Sequence, residues 1–373
     1  MTARQGVLAA VLGAVALALA GCGGADSSAE SGGRVVSVAL TDAGCSPAQL
    51  QLAAGPVTFE VKNEGAEAVS EFEILDGDRI VGEVENIAPG LSGKFSLTLS
   101  PKEYTTYCPG GDSAERGTLT VAGKEAGQAS SRSRAAIDAY RTFVTGQTAL
   151  LVERTRRFVA AVRAGDVATA KSLYAPARIP YERIEPVAES FGDLDPAIDA
   201  RAGDVPAAQW TGFHPIEQAL WVRKTTDGTS ALASKLLADV RALERRAKTI
   251  ELEPAQIANG SVELLGEVSK SKITGEEERY SHIDLVDFEG NVDGAQAAFK
   301  AVRPILAESN PALAGEIDER FAAVDEALAP YRRGQGFVSY TELDATDTRA
   351  LSRAIDALAE PLSRVGAIVV AAK

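Results

Sequence analysis

The sequence predicts a multidomain protein in which an all-β domain precedes an all-α domain. Three observations predict this fold class. The chain of 373 residues opens on an apolar leader, short alternating runs follow over residues 34–123, and helical periodicity extends over residues 135–373. Alternation with a period of two is typical of strands, and a period of about 3.6 is typical of helices.

The first 21 residues form the leader. Arg4 precedes a run of small and apolar residues, which is typical of a secretory signal and is short for a membrane span. Cys22 follows Leu-Ala-Gly directly, the order found where a bacterial lipoprotein is cleaved and acylated. We therefore predict a lipoprotein signal peptide over residues 1–21, lipidation of Cys22, and a flexible tether over residues 22–33.

The chain is acidic, with a formal net charge of −14 at pH 7. Removing the leader takes away Arg4 and no acid, so the mature chain is more acidic still. Such a charge disfavours binding to nucleic acid and attracts cations. It does not identify a metal site, because an acidic surface also keeps proteins soluble.

The segment from 34 to 123 consists of short runs rich in β-branched and aromatic residues, bounded by Gly, Pro, Asn or Asp. Seven such runs in fewer than a hundred residues predict a β-sandwich. In chain order they are "VVSVAL", "VTFEVKN", "EFEIL", "RIVGEV", "KFSLTLS", "YTTYC" and "GTLTVAG".

Residues 124–134 contain no large apolar side chain and are predicted to be a linker. Beyond the linker, apolar residues form three helical stripes that would bury against one another in a bundle. The stripes run from Tyr140 to Val162, from Leu313 to Tyr331 and from Leu351 to Val365. Gly165 ends the first helix and Asp166 is predicted to cap the next.

Cys45 and Cys108 remain once Cys22 is assigned to lipid. Outside the cytoplasm an isolated pair of cysteines is most simply a disulfide. A blue-copper centre is excluded, because it needs two histidines, a cysteine and usually a methionine. The predicted β domain has no histidine, and Met1 is the only methionine of the chain.

His214 is one of only two histidines, and Glu217 follows three residues later. On a helix the two side chains project to the same side and can converge on one ion. Pro215 favours a first helical turn and places His214 at the helix cap. The alternative is a buried, hydrogen-bonded core histidine without a ligand.

Carboxylates elsewhere extend this candidate site. Glu182, Glu185 and Glu189 recur at helical spacing, and Asp284 and Asp287 are three apart. Solvated acidic faces on helices are the alternative for all of them.

The roles of Asp284 and His282 have alternatives. Ser281 and Asp284 also match a capping box, which would make Asp284 a helix initiator. His282 is either a second ligand or a neighbour of the ligands. A site of one imidazole and several carboxylates suits iron or manganese better than Cu(I), and zinc stays an alternative.

The segment "GFHPIEQALW" resembles the G-x-H-x-x-E signature of the imelysin family, specifically its EfeO-like iron-uptake lipoproteins and periplasmic proteins. Three longer segments resemble the same group, and together the resemblance covers the mature chain. They are "ARIPYERIEPVAESFGDLDPAID", "YSHIDLVDFEGNVDGAQ" and "GFVSYTELDATDTRALSRAIDALAEPLSRV". The resemblance implies a cupredoxin-like sandwich followed by an imelysin-like helical bundle.

The resemblance also implies a function. It implies that iron, Fe²⁺ or Fe³⁺, is bound outside the cytoplasm and passed to an integral-membrane iron permease. A haem-containing peroxidase of the dye-decolorising type is the second implied partner. In this family an auxiliary copper or iron site has been proposed at positions that match Cys45, Cys108 and Glu71, which leaves a metal site as the alternative to the disulfide.

Two other functions compete with a non-enzymatic iron-binding role. Imelysin-type proteins have been grouped with peptidases, but the zinc-protease motif H-E-x-x-H is absent here. Glu217 would serve as a base only if other residues replaced it as ligand. A polysaccharide-binding protein would favour an aromatic-lined cleft, which an aromatic content of 6% does not encourage.

Overall fold

Nine strands from Arg34 to Ala122 form two sheets that face each other. The computed structural model describes residues 34–124, 130–334 and 336–372, so the predicted leader and tether, including Cys22, lie outside the described residues. The strands are β1 Arg34–Thr41, β2 Gly44–Ser46, β3 Gln49–Ala53, β4 Gly55–Asn63, β5 Phe72–Asp76, β6 Arg79–Val84, β7 Ser92–Leu99, β8 Glu103–Tyr107 and β9 Arg116–Ala122.

The first sheet has the order β2-β1-β4-β7 and the second the order β3-β9-β8-β5-β6. Alternation along β4 buries Val57, Phe59 and Val61 between the sheets, and the Phe59 and Phe95 rings stack with centroids 5.3 Å apart. All seven predicted strands are present. β2 and β3 were not predicted, because β2 is too short to show alternation and β3 carries few β-branched residues.

Ten α-helices form most of the described chain beyond the sandwich. They are α1 Ser131–Arg163, α2 Val167–Glu182, α3 Leu194–Asp199, α4 His214–Gln218, α5 Ser230–Ala247, α6 Pro254–Lys270, α7 Asp284–Ser309, α8 Pro311–Leu328, α9 Ala345–Leu362 and α10 Val365–Ala371. Short 3₁₀ helices cover Glu185–Phe191, Lys272–Thr274, Ala329–Tyr331 and Tyr340–Glu342, a π-helical turn covers Ala219–Arg223, and a small hairpin pairs β10 Arg332–Arg333 with β11 Gly336–Phe337.

The predicted order of a β part followed by a helical part is confirmed. α1 begins at Ser131, inside the predicted linker, because the Ser130 side chain accepts a hydrogen bond from the Ser133 amide and caps the helix. Gly165 adopts a φ of 78° after α1, and Asp166 caps α2 by accepting a hydrogen bond from the Thr169 amide at 2.9 Å. The three predicted stripes lie in the helical core.

Helix α6 makes hydrogen bonds from the helical part to the sandwich. The Asn259 side chain donates to the Ser96 carbonyl at 2.7 Å, and Lys270 Nζ donates to the Asn86 carbonyl at 3.2 Å. The described residues from Arg34 onward belong to one compact unit. Among the helices of the described residues, none combines the length and apolar character that crossing a membrane requires.

Candidate metal centre

Gly212 fixes the position of the signature histidine. Its φ is 91°, and a Cβ atom there would lie 2.0 Å from the Ile198 carbonyl oxygen, so only glycine fits. The Phe213 amide donates to that same carbonyl at 2.9 Å. This contact holds the start of α4 against the end of α3, so His214, the first residue of α4, is buried beside Asp199.

The two nitrogens of the His214 ring face different carboxylates. Nδ1 lies 3.2 Å from Oε2 of Glu217. Nε2 lies 3.5 Å from Oδ1 of Asp199 and 3.7 Å from Oε1 of Glu277. A ring nitrogen between two carboxylate oxygens is an arrangement that can hold a cation.

The Glu217 carboxylate has its acceptors occupied within the protein. Its Oε1 accepts hydrogen bonds from the amides of Tyr280, at 2.9 Å, and Ser281, at 2.7 Å. Its Oε2 faces His214 Nδ1. Glu217 therefore orients the imidazole and leaves Nε2 directed at Asp199 and Glu277, as carboxylates that hold metal-binding histidines do.

Arg178 of α2 lies at the centre of the same cluster and is fully buried. Its Nε lies 2.6 Å from Glu278 and 3.4 Å from Asp287. Its terminal nitrogens pair with further carboxylates, those of Glu182, Asp199 and Glu277. The Arg178 guanidinium thus forms ion pairs with five carboxylates, which come from four separate segments of the sequence.

Lys272 is the second buried cation, at 5% exposure. Its Nζ pairs with Glu185 and lies 3.7 Å from Glu182 and 3.9 Å from Glu277. Asn291 of α7 donates to both Glu182 and Glu185. Lys272 thus joins the Glu182 and Glu185 side of the cluster to the Glu277 side.

Carboxyl groups outnumber basic side chains in this interior, even with Arg201 paired to Glu277. The carboxylates paired with Arg178, Lys272 or His214 are Glu182, Glu185, Asp199, Glu217, Glu277, Glu278 and Asp287. Asp287 is 1% exposed, and neither of its oxygens has a hydrogen-bond partner among the described residues. Buried carboxyl groups in excess of their basic partners either keep a proton or bind a cation, so the cluster can accept a cation in place of protons.

The pKa values show how the cluster is balanced by protons. Burial raises the pKa of Glu185, Glu278 and Asp287 well above the usual range. Burial opposes ionisation of Glu277 as well, but Lys272 and His214 hold its pKa well below the usual value. Protons thus remain on some carboxyl groups while Glu277 stays ionised.

His214 itself is a protonation site. Burial and the neighbouring Arg178 disfavour the imidazolium, but hydrogen bonds with Asp199, Glu217 and Glu277 outweigh them and raise the pKa of His214 well above its usual value. A metal ion at Nε2 would have to displace that proton.

Three groups in this region place ligand atoms within 4.8 Å of one another: Asp199 with His214 and Glu277, His214 with Glu217 and Glu278, and Glu182 with Glu185 and Asp199. All three are rich in oxygen and contain at most one nitrogen. This donor set suits iron or manganese and disfavours Cu(I).

The structure brings most of the predicted residues together. His214, Glu217, Glu182, Glu185 and Asp287 all belong to this network. Whether they bind metal stays a prediction.

Asp284 lies at the edge of the cluster and accepts a hydrogen bond from the Glu278 amide at 3.0 Å. The capping-box interpretation was wrong, because Ser281 donates to Glu278 instead and α7 begins without a side-chain cap. His282 is half-buried with a φ of 58°. It belongs to none of the ligand groups found in the described part of the chain.

Several residues of the centre were not predicted from the sequence, namely Arg178, Asp199, Lys272, Glu277 and Glu278. Asp199 ends α3 and follows no apolar periodicity. Glu277 and Glu278 lie in the run "GEEERY", which has the composition of an exposed loop. Arg178 and Lys272 are basic, and the sequence does not show that they are buried among carboxylates.

The cysteine pair and Glu71 separate in the structure. Cys45 and Cys108 form a disulfide with Cα atoms 5.6 Å apart. Glu71 groups instead with Glu83 and Glu85, whose oxygens lie within 4.8 Å of its own. The structure therefore does not bring both cysteines and Glu71 together as one metal-binding group.

Comparisons with known proteins define the class first. The imelysin family model matches residues 136–365, and a cupredoxin-like domain model matches residues 9–121. The chain belongs to the imelysin family, with a cupredoxin-like domain ahead of the helical one. A purple cupredoxin from Nitrosopumilus maritimus is similar at 17% identity, with a TM-score of 0.18, over 23% of this chain and 99% of that one.

Within that family the chain is similar to proteins named as iron uptake system components. It is 41% identical over 343 residues to "Iron uptake system component EfeO" of Escherichia coli strain K12. The same identity holds for the proteins of that name from Shigella flexneri and Shigella sonnei, in each case over 90% of this chain and 91% of theirs.

Proposed function

We propose that this protein binds iron outside the cytoplasm, at the His214 cluster, and delivers it to a membrane permease. The observation that carries the proposal is the imidazole nitrogen Nε2 of His214, which faces Asp199 and Glu277 inside an interior with surplus carboxylate. The names of the similar EfeO proteins support iron as the cargo.

The ligands nearest to the ion in this proposal are His214, Asp199 and Glu277. Glu217 orients the ring. Glu182, Glu185 and Asp287, with Asp284 at the edge, supply the negative charge that attracts the ion. Arg178 and Lys272 offset part of that charge, so the ion can leave as well as bind.

The proposed setting follows from the leader. Acylation of Cys22 would hold the protein at a membrane surface on the extracytoplasmic side, where an integral-membrane permease takes up the iron. A haem-containing dye-decolorising-type peroxidase is the other proposed partner. Exchange of Cys22 for serine should move the protein from the membrane fraction to the soluble fraction, and unchanged extraction by detergent alone would contradict the anchor.

A peptidase is the competing function, and Glu217 argues against it. A zinc protease needs a carboxylate free to act as general base on a metal-bound water. Glu217 already accepts two backbone hydrogen bonds and faces His214. We therefore propose a binding protein and not an enzyme.

The test is competitive metal loading of the mature protein. The protein is incubated with Fe(II) or Fe(III) together with Zn(II) and Cu(II), desalted and analysed for its elements. Iron should be retained by the wild type and lost on replacing Asp199 with asparagine. Exclusive retention of zinc together with metal-dependent cleavage of casein would favour the peptidase instead.

A further inference from the structure

A second group of carboxylates lies where the sandwich meets the helices. A cavity of about 420 Å³ opens between β6 and α6. Glu83 and Glu85 line it from the strand side, and Glu189 and Glu263 line it from the helical side. The same cavity is also lined by Asp199, Lys272 and Glu277 of the His214 centre, but Glu83 and Glu85 belong to a ligand group that does not contain His214.

The geometry of this group resembles an ion site. Glu71, Glu83 and Glu85 each offer an oxygen within 4.8 Å of the others. Glu189 hydrogen-bonds to Glu83 and Glu85 from the 3₁₀ helix on the opposite side. The charged neighbours with the largest effects on the pKa values of Glu83 and Glu189 are other carboxylates.

Two oxygens in the cavity have no partner. Oε2 of Glu83 and Oε2 of Glu189 are both buried, and neither has a hydrogen-bond partner among the described residues. Burial raises the pKa of both carboxyl groups well above the usual range, and the surrounding carboxylates add to the effect. Buried acceptors without donors are rare in folded proteins, and they point to an absent positive ligand.

We propose that this cavity binds a second cation, which bridges Glu83 of the sandwich to Glu189 of the helical part and so fastens the two together. The ligands are all oxygen, which selects a hard divalent cation of the Ca²⁺, Mg²⁺ or Mn²⁺ class. Without the ion, Glu83 and Glu189 are joined by a hydrogen bond that needs a proton on one of them, and the ion replaces that proton. This site does not depend on the iron role proposed for His214.

The first test counts bound ions on the mature protein with Mn²⁺ as the probe, by the electron paramagnetic resonance signal of the free ion. The variant is Glu83→Gln with Glu189→Gln. The matched control is Glu319→Gln with Glu326→Gln, two exposed acids of α8, which changes the net charge equally. The variant should bind one Mn²⁺ fewer than the control, and equal numbers at equal affinity would overturn the proposal.

The second test follows thermal unfolding, in case the variant is altered in fold. Without added metal the glutamine variant should melt no lower than the control, because two amides can replace the hydrogen bond of the protonated pair. Mn²⁺ should raise the melting temperature of the control more than that of the variant. An equal rise in melting temperature would overturn the proposal. Repeating the Mn²⁺ count and the thermal unfolding in a His214→Ala background separates this site from the iron centre.

Discussion

Nδ1 of His214 lies 3.2 Å from Oε2 of Glu217, while Nε2 of the same ring faces Asp199 and Glu277. The spacing of three residues between His214 and Glu217 therefore serves orientation. Glu217 holds the ring, and the other ring nitrogen is the one that we propose binds the ion. The oxygens that complete the proposed site come from α3 and from the loop before α7.

The first prediction separates the ligands from the orienting residue. Asp199→Asn removes a charge that faces Nε2, whereas Glu217→Gln keeps an oxygen that accepts from Nδ1. We expect Glu217→Gln to weaken iron binding about 10- to 100-fold and Asp199→Asn to weaken it more. Anaerobic Fe(II) titration measures both, and a larger loss for Glu217→Gln would show that Glu217 binds the ion directly.

The second prediction concerns pH. The pKa of His214 in the metal-free protein is raised by hydrogen bonds to Asp199, Glu217 and Glu277, so the ring keeps its proton to higher pH than a free histidine and a metal must displace that proton. Fe(II) affinity should therefore keep rising with pH above about 6.5, the ordinary histidine pKa. Calorimetry in buffers of different ionisation enthalpy should show proton release at pH 7, and an affinity that is flat above pH 6.5 would contradict the protonated ring.

The same shift has a consequence for stability. The protonated ring stabilises the folded, metal-free state fully below the unfolded-state pKa of about 6.5. That contribution is lost as the pH rises through the higher pKa of the folded state. The His214→Gln variant should therefore differ most from the wild type in unfolding free energy at acidic pH.

The third prediction concerns Arg178. Arg178→Met leaves five buried carboxylates without their shared cation and should lower the unfolding free energy of the metal-free protein by about 3–5 kcal/mol. Arg303→Met is the control, because Arg303 and Asp318 form an exposed pair worth about 0–1 kcal/mol. Urea unfolding measures both.

Iron should then restore more stability to Arg178→Met than to the wild type, because the ion replaces the missing charge. Equal losses in the two arginine variants would show that the cluster does not depend on Arg178.

The fourth prediction concerns the sandwich. The disulfide of Cys45 and Cys108 spans 63 residues, and closing a loop of that size stabilises a protein by about 4 kcal/mol. Cys45→Ser with Cys108→Ser should lower the stability of the sandwich by about that amount and leave iron affinity unchanged. Mass spectrometry of unreduced peptides should show the pair linked. Two alkylated thiols in the native protein would favour a metal site there.

The fold could be predicted from the sequence, because apolar residues recur with a period of two in strands and of about 3.6 in helices. The alternation around Phe59 and the stripe from Leu351 to Val365 both report which face is buried, and the structure buries those faces. The start of α1 was not readable, since Ser131 begins a helix whose first turns are polar.

The candidate metal centre could be predicted from the sequence only in part. His214 and Glu217 are close in sequence, so local spacing places them together. Asp199, Glu277 and Arg178 meet only through the packing of α2, α3 and the loop before α7. Glu277 and Glu278 carry the composition of a surface loop, and only tertiary structure buries them.

Titration of Fe(II) into the mature protein tests the central claim most directly. The variants are His214→Ala and, as the control, His282→Asn, which exchanges the other histidine for a residue that tolerates its positive φ. We expect His214→Ala to lose at least about tenfold in affinity with unchanged helical content, and His282→Asn to bind as the wild type does. Equal affinity of His214→Ala and wild type would contradict the account and place the iron elsewhere.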